Sequence, residues 1–256
     1  MIRNSSQIYK NALLIGGSGK LGSEIAKSKY FKNIDAPTKK FLNLKNKKQI
    51  KRYLSRDINL VINCSGYTEI RKCEKFKKKA FDLNVITTRN LVREIIYQNK
   101  MKVRKIKLIQ ISSDAVYAMT NGNYRENGRC NPKSYYGLCK LESEKAIKKM
   151  NNYLIIRTRF FNKKNFPYND AATDIYSSMI ELNNLIKYID LLIKKNIKGV
   201  INVGQQKISD YNLLKKYFKK IKKINRSSIQ KKTNTFITKD ASLNIKKFIR
   251  ILKKNG

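Results

Sequence analysis

Apolar residues along the chain fall into two patterns: short unbroken runs, and longer stretches where they recur every three or four positions. The short runs are Asn11–Ile15 (NALLI), Leu60–Ile62 (LVI), Ile106–Ile111 (IKLIQI), Tyr153–Ile156 (YLII) and Gly199–Val203 (GVINV). Each predicts a buried strand. Ile34–Leu44 holds a weaker strand followed by a loop. Helical spacing covers Gly19–Tyr30, Lys47–Leu54, Ala80–Gln98, Ser134–Met150, Tyr176–Lys195 and Ser209–Phe218. The stripe of the third stretch is Phe81, Val85, Leu91, Val92, Ile95 and Ile96; that of the fifth is Met179, Leu182, Ile186, Ile189 and Ile193. Strands thus alternate with helices of about 10 to 20 residues, the pattern of an α/β protein with helices on both faces of a parallel sheet. No internal repeat or linker is visible. Scattered apolar residues from Ile221 to Gly256 (Phe236, Ile237, Leu243, Ile245, Phe248, Ile249, Leu252) predict that the tail packs.

Composition narrows the class. A chain of 256 residues, 41% of them hydrophobic, can bury one sizeable core. Three prolines and 11 glycines exclude a collagen-like or proline-rich disordered chain. No apolar run approaches the roughly 18 residues of a membrane span. Met1–Lys10 is polar and too short for a secretory signal. Cys64, Cys73, Cys130 and Cys139 form no CxxC pair and read as reduced thiols, so the expected setting is the cytoplasm. Without histidine the chain has no imidazole metal site and no histidine-based triad, and no metal is expected.

The net charge is +41. It suits a polyanionic partner. The chain holds 45 Lys, 33 Ile and 28 Asn, residues with A/T-rich codons, so compositional bias weighs more than a nucleic-acid role. Bias does not account for the shortage of acids. From Lys207 onward 16 Lys/Arg face only Asp210 and Asp240.

Candidate chemistry begins behind the first strand. Gly16-Gly17-Ser18-Gly19-Lys20-Leu21-Gly22 satisfies G-x-x-G-x-x-G through Gly16, Gly19 and Gly22, and G-x-G-x-x-G through Gly17, Gly19 and Gly22. Glycines let backbone amides approach a pyrophosphate, and the following helix N-terminus favours it. The strand–turn–helix context is the one a dinucleotide needs, which makes the expected sheet Rossmann-like and doubly wound. After the second strand, Asp35 would hold a free ribose 2′-OH, whereas Thr38, Lys39 and Lys40 suit a 2′-phosphate. NADP is the expected cofactor, with NAD still open.

Further along, Tyr136 and Lys140 stand four apart, on one helix face. A nearby ammonium lowers a phenol's pKa and makes it a usable proton donor. Ser112-Ser113-Asp114 ends the strand before them, about 23 residues earlier, and supplies a hydroxyl for a substrate oxygen.

This ordered set resembles the extended short-chain dehydrogenase/reductase superfamily, within it the dTDP-4-dehydrorhamnose reductase group of sugar-nucleotide reductases. The similar segments are Val61–Thr68, Cys73-Glu74, Leu83-Asn84-Val85, Ile111–Tyr117, Tyr124-Arg125-Glu126, Asn131-Pro132, Tyr135–Glu142 and Ile156–Phe161. They fall in family order and extend the likeness over roughly residues 11 to 250. The resemblance implies Tyr136 as general acid, Lys140 as its pKa-lowering and ribose-holding partner, and Ser113 as the hydroxyl that polarises the carbonyl. It implies Gly16, Gly19, Lys20, Leu21 and Gly22 at the pyrophosphate, Asn43 and Leu44 by the adenine, and Ser65, Gly66 and Tyr67 along the ribose. Lys39 is the candidate for the 2′-phosphate, and Asp114 and Phe160 face the substrate. Ser113 stands where the family commonly has Thr; Ala115 and Arg159 depart from its pattern. The stretch from Phe161 to Ile175 is short, so the substrate lobe looks trimmed.

Residues 1–160, also receiving the strand near 199–203, would form the dinucleotide-binding domain, and 161–256 mainly a small C-terminal substrate lobe. The implied activity is NAD(P)H-dependent reduction of a nucleotide-linked 4-keto-6-deoxy sugar. Two alternatives share the fold: a non-catalytic binding protein, like the regulatory subunit of methionine adenosyltransferase, and a nucleotide-sugar epimerase or dehydratase. The complete Ser113, Tyr136, Lys140 set favours an enzyme. A nucleic-acid partner has only the charge behind it, and no reading module is visible. Family members often form homodimers.

Overall fold

The computed structural model describes residues 11–32, 34–101, 105–164, 166–233 and 237–253. They divide into two compact units. The first comprises the described residues within Met1–Ser112, Ser134–Ile156 and Ile186–Val200; the second comprises those within Ser113–Lys133, Arg157–Leu185 and Ile201–Gly256.

The central sheet has five strands: β1 (Ala12–Ile15), β2 (Leu60–Asn63), β3 (Lys107–Ser113), β4 (Tyr153–Thr158) and β9 (Gly199–Asn202), in the order β1-β2-β3-β4-β9. β1 pairs in parallel with β2, Leu13 opposite Val61, and β2 with β3, Val61 opposite Leu108. Strands and helices alternate in the chain, and the sheet is that of a Rossmann-like α/β fold. The expected strand within Ile34–Leu44 shrinks to one bridge. Asp35 sits beside Leu13 on the outer side of β1, its N–H donating to Ala12 O at 3.0 Å and its carbonyl accepting from Leu14 N–H at 2.7 Å. Pro37 follows at once and bars further ladder pairing. The chain therefore leaves β1 to one side at Asp35 and returns on the other at β2. The C-terminal end of β1 is a topological switch point, the place where ligands bind in open α/β sheets.

Alternate residues of the strands feed one core. Leu13, Ile15, Val61, Leu108 and Ile155 pack with Ile50 and Leu54 of α2 (Lys47–Leu54) and with Leu91 and Ile95 of α5 (Thr87–Met101). Each such aliphatic side chain contributes roughly 1.5–3 kcal/mol by leaving water. The helix expected over Ala80–Gln98 is not continuous. Two short helices, α3 (Ile70–Lys75) and α4 (Lys77–Phe81), lead into a π-turn over Asp82–Ile86 before α5 begins. Apolar spacing survives such a turn, so the periodicity did not reveal it.

The helix expected over Tyr176–Lys195 is also corrected. Only Leu182–Lys194 is helical (α7); Tyr176–Ser177 (β7) and Ile180–Glu181 (β8) are short strands. β7 pairs with β10 (Ile208–Ser209), and β8 with β5 (Phe160–Phe161). A third short pair joins β6 (Asp170–Ala172) to β11 (Lys222–Ile224) in parallel. Ser177 Oγ donates to Asp210 Oδ1 at 3.0 Å, and Ser178 Oγ accepts from Leu243 N–H at 3.0 Å. The helix expected over Ser209–Phe218 is the shorter α8 (Asp210–Leu214), capped by Ser209. Phe161, Met179, Tyr211, Leu213, Leu214 and Ile221 form the second unit's own core. The tail packs at Leu243, Ile245 and Phe248, all buried; Phe236 lies outside the described residues.

Candidate active site

The glycine turn leads from β1 into α1 (Lys20–Lys27). Gly16 has φ +84°, and a Cβ there would lie 2.7 Å from the main-chain nitrogen of Ser65. A Cβ on Gly22 would lie 2.1 Å from Gly16 O. Both positions therefore exclude a side chain. Gly17 is less constrained, its nearest neighbour being Ala36 Cβ at 3.3 Å. Of the two overlapping glycine patterns, the one through Gly16, Gly19 and Gly22 is what the packing demands. Gly19 caps α1 with no side-chain hydrogen bond, so the amides of the first turn, which includes Lys20, Leu21 and Gly22, are offered outward. Leu21 and Gly22 are buried, and Lys20 is exposed. A bare helix N-terminus reached by side-chain-free backbone fits a pyrophosphate.

Beside Gly16 runs the segment after β2. Asn63 Oδ1 accepts from the Ser65 N–H at 3.0 Å and from Ser65 Oγ at 2.6 Å. Asn84, in the π-turn, clamps Tyr67 from both sides. Its Oδ1 accepts from Tyr67 N–H at 2.8 Å, and its Nδ2 donates to Tyr67 O at 3.0 Å. A Cβ on Gly66 would lie 2.9 Å from Asn84 Oδ1 and 3.6 Å from Lys140 Nζ. The wide turn aims Asn84 inward, as π-turns at functional sites often do. The structure thus brings Gly16, Ser65, Gly66, Tyr67 and Lys140 into one neighbourhood.

Helix α6 (Tyr135–Ile147) carries the tyrosine and lysine. Ser134 caps it by accepting from Gly137 N–H at 3.1 Å, and Glu74 Oε1 accepts from Tyr135 N–H at 2.6 Å. These contacts fix the helix start and put Lys140 one turn beyond Tyr136. The Lys140 ammonium lies 6.0 Å from the centre of the Tyr136 ring and donates to Ile111 O at 3.0 Å. Tyr135 instead sits under Lys77. Lys140 is 6% exposed, and burial pushes its pKa down to about 8 against the opposing pull of Cys64, Glu144, Cys139 and Cys73. Burial also pushes the Cys64 thiol up to about 12 and that of Cys139 to about 11, so both stay protonated near neutrality.

In the second unit, Ser113 is the last residue of β3. Its Oγ donates to Asp114 Oδ1 at 3.1 Å and accepts from Ala115 N–H at 3.1 Å. Asp114 is buried and ion-paired with Arg159 Nε at 2.7 Å. Arg159 also lowers the pKa of Asp210, although burial is the larger influence and raises it overall. Phe160, next to Arg159, is half-buried in β5.

At the nucleotide end of the first unit, Asp35 pairs with Arg56 Nη1 at 3.3 Å on the surface, and Lys39 is exposed. Asn43 is tied locally: its N–H donates to Gln49 Oε1 at 2.8 Å, and its Oδ1 accepts from Lys45 N–H at 3.0 Å. Leu44 is buried, and Asn90 Nδ2 donates to its carbonyl at 3.0 Å.

Several residues of this neighbourhood had no role assigned from sequence: Asn63, Gln110, Ser112 and Glu144. Asn63 and Gln110 stood out only as polar interruptions of apolar strand runs, and Glu144 only as a repeat of the Tyr136–Lys140 spacing.

Comparison with known proteins identifies the family and the fold. The family described as the RmlD substrate binding domain matches residues 10–182. The spore coat polysaccharide biosynthesis protein SpsK of Bacillus subtilis is 26% identical over 180 residues, 66% of this chain and 58% of that protein. The probable low-salt glycan biosynthesis reductase Agl14 of Haloferax volcanii is 33% identical over 106 residues, 41% of this chain and 33% of that protein. The chain thus spans less than two thirds of the length of either relative. The crystal structure of dTDP-4-dehydrorhamnose reductase from Bacillus anthracis in complex with NADP superposes with a TM-score of 0.80, at 21% identity, over 94% of this chain and 92% of that one. The fold is shared along nearly the whole chain, and the family match covers most of it. The chain belongs to the RmlD substrate-binding-domain family, within the extended short-chain dehydrogenase/reductase superfamily.

Proposed function

We propose that this protein reduces the keto group of a nucleotide-linked 4-keto-6-deoxy sugar, using NADPH, with NADH as the alternative. The observation that carries the reading is the buried Lys140 ammonium, one helical turn from Tyr136 and beside Gly66. A buried cation near a phenol favours the phenolate, which lets Tyr136 part with its proton near neutral pH.

Gly16, Gly19, Lys20, Leu21 and Gly22 would hold the pyrophosphate, Asn43 and Leu44 the adenine, Ser65, Gly66 and Tyr67 the ribose, and Lys39 the 2′-phosphate. When bound, the nicotinamide supplies hydride to the keto carbon. Tyr136 Oη protonates the keto oxygen, Lys140 holds the phenol's pKa down, and Ser113 Oγ would turn its one proton from Asp114 Oδ1 to donate to that oxygen. Asp114 and Phe160 would line the sugar site. Residues 1–160, with the strand near 199–203, would bind the dinucleotide, and 161–256 mainly the sugar. The same reading makes this a cytoplasmic enzyme, with a second copy of the chain as its candidate partner.

The test is cofactor oxidation against a panel of keto-sugar nucleotides, for the wild type and Tyr136→Phe. The expected result is turnover by the wild type, with loss of at least about a hundredfold in the variant, whose cofactor affinity is unchanged. Cofactor binding without oxidation of any sugar would replace this reading with a non-catalytic binding protein. Unchanged turnover in Tyr136→Phe would remove the proton-donor assignment.

A further inference from the structure

Asn63 and Gln110 face each other across β2 and β3 at 0% and 2% exposure, where the flanking strand residues are mostly apolar. Burying two amides inside a sheet costs free energy unless every polar atom is matched. In this sheet they are matched in a chain. Asn63 Oδ1 is occupied by Ser65, and its Nδ2 donates to Gln110 Oε1 at 2.8 Å. That bond fixes the orientation of the Gln110 amide, so Nε2 must face the other way. Nε2 donates to Ile111 O at 3.1 Å, the same carbonyl that accepts from Lys140 Nζ at 3.0 Å. A carbonyl oxygen has two lone pairs, and two donors now claim this one.

The positive end of the Gln110 amide dipole therefore sits close to the Lys140 ammonium and disfavours its charged form. We propose that Asn63 and Gln110 are positioning residues for Lys140: Asn63 locks the Gln110 amide so that it shares the Ile111 carbonyl with the ammonium, and the shared acceptor makes the lysine release its proton more readily. This rests on the role given to Lys140 above. The other groups that face the ammonium are Cys64 from the end of β2, Cys73 from α3, and Tyr136, Cys139 and Glu144 from α6. Of these, the Glu144 carboxylate favours the charged form, and the amide works in the opposite direction. Because Asn63 also holds Ser65, the chain of bonds joins the proposed ribose segment to the lysine.

The experiment is competitive acetylation of the purified protein with acetic anhydride across pH, read peptide by peptide, which reports the titration of Lys140 without any substrate. In Gln110→Met, Lys140 is expected to titrate about half a unit to one unit higher, roughly three- to tenfold in proton affinity. Gln110→Met strands the Asn63 Nδ2, so a second variant, Asn63→Leu with Gln110→Leu, removes both amides together; it also takes the acceptor from Ser65 and is expected to lower the melting temperature. It should shift Lys140 in the same direction. An unchanged Lys140 titration in the two variants, whatever happens to their melting temperature, would show the pair to be only a brace of the sheet and overturn the proposal. Steady-state kinetics add a separate reading. In Gln110→Met, which leaves the Asn63–Ser65 bonds in place, the alkaline limb of the rate should move up with Lys140 while KM for the cofactor stays within about twofold. If the wild type oxidises no cofactor, the reductase reading fails, and the acetylation result still decides this one.

Discussion

Ser112 donates its hydroxyl to Glu144 Oε1 across 2.6 Å, and Glu144 is fully buried one helical turn beyond Lys140. The pairing ties the end of β3 to α6 and leaves a carboxylate beside the lysine, where it works against burial to keep the ammonium charged. Two opposing influences of the protein thus meet on one nitrogen, and their balance sets where Lys140 titrates.

Replacing Glu144 by Gln should let burial prevail. Lys140 then titrates below its value of about 8, and Tyr136, the proposed proton donor, loses its cationic neighbour at lower pH. The sign is definite: the reduction rate declines as pH rises through the lysine's pKa, and in Glu144→Gln that decline begins earlier. A pH–rate profile of the variant checks it. Ser112→Ala should leave the buried Glu144 side chain short of one donor, costing about 1–3 kcal/mol in urea unfolding.

The glycine turn yields a contrast between neighbours. Gly16→Ala would put a Cβ against the Ser65 backbone at a positive φ, and Gly22→Ala would drive one into the Gly16 carbonyl. Each is expected to cost about 1–3 kcal/mol of stability and to weaken cofactor binding. Gly17→Ala meets only Ala36 Cβ at 3.3 Å and should cost about 1 kcal/mol or less. Equal losses at all three positions, measured by unfolding and cofactor titration, would contradict this ranking of the three glycines.

Lys107 supplies a stability prediction. It is 7% exposed, donates to Asn196 Oδ1 at 2.8 Å, and has its pKa pushed down to about 8, first by burial and then by Lys198. The unfolded chain binds the proton more tightly, at the ordinary 10.5, so the folded state gains relative stability as pH rises from about 8 to 10.5. Below about 8 the cost of the buried charge is fully present. The stability of the wild type minus that of Lys107→Met should therefore increase by about 1–3 kcal/mol across that window. Denaturant titrations at neutral and alkaline pH, compared between the two proteins, measure it.

Much of this protein was legible in its sequence because strands and helices announce themselves locally. The runs at Ala12, Leu60, Lys107, Tyr153 and Gly199 became the five strands, and the Lys47–Leu54 helix has the bounds its periodicity gave. The Gly16–Gly22 turn and the Tyr136–Lys140 spacing pointed to a dinucleotide and a proton donor, since both depend on contacts within a few residues. Tertiary contact decided the rest. Tyr176–Ser177 and Ile180–Glu181 had helical spacing, yet pairing with Ile208–Ser209 and Phe160–Phe161 made them strands. The π-turn that aims Asn84 at Tyr67 leaves no mark on an apolar stripe. Which of two overlapping glycine patterns matters, and which amides and carboxylates surround Lys140, depend on Gly16 meeting Ser65, Asn63 meeting Gln110 and Ser112 meeting Glu144. Those partners lie 32 to 49 residues apart in the chain, so their meeting is a property of how the strands and helices pack and not of any local spacing.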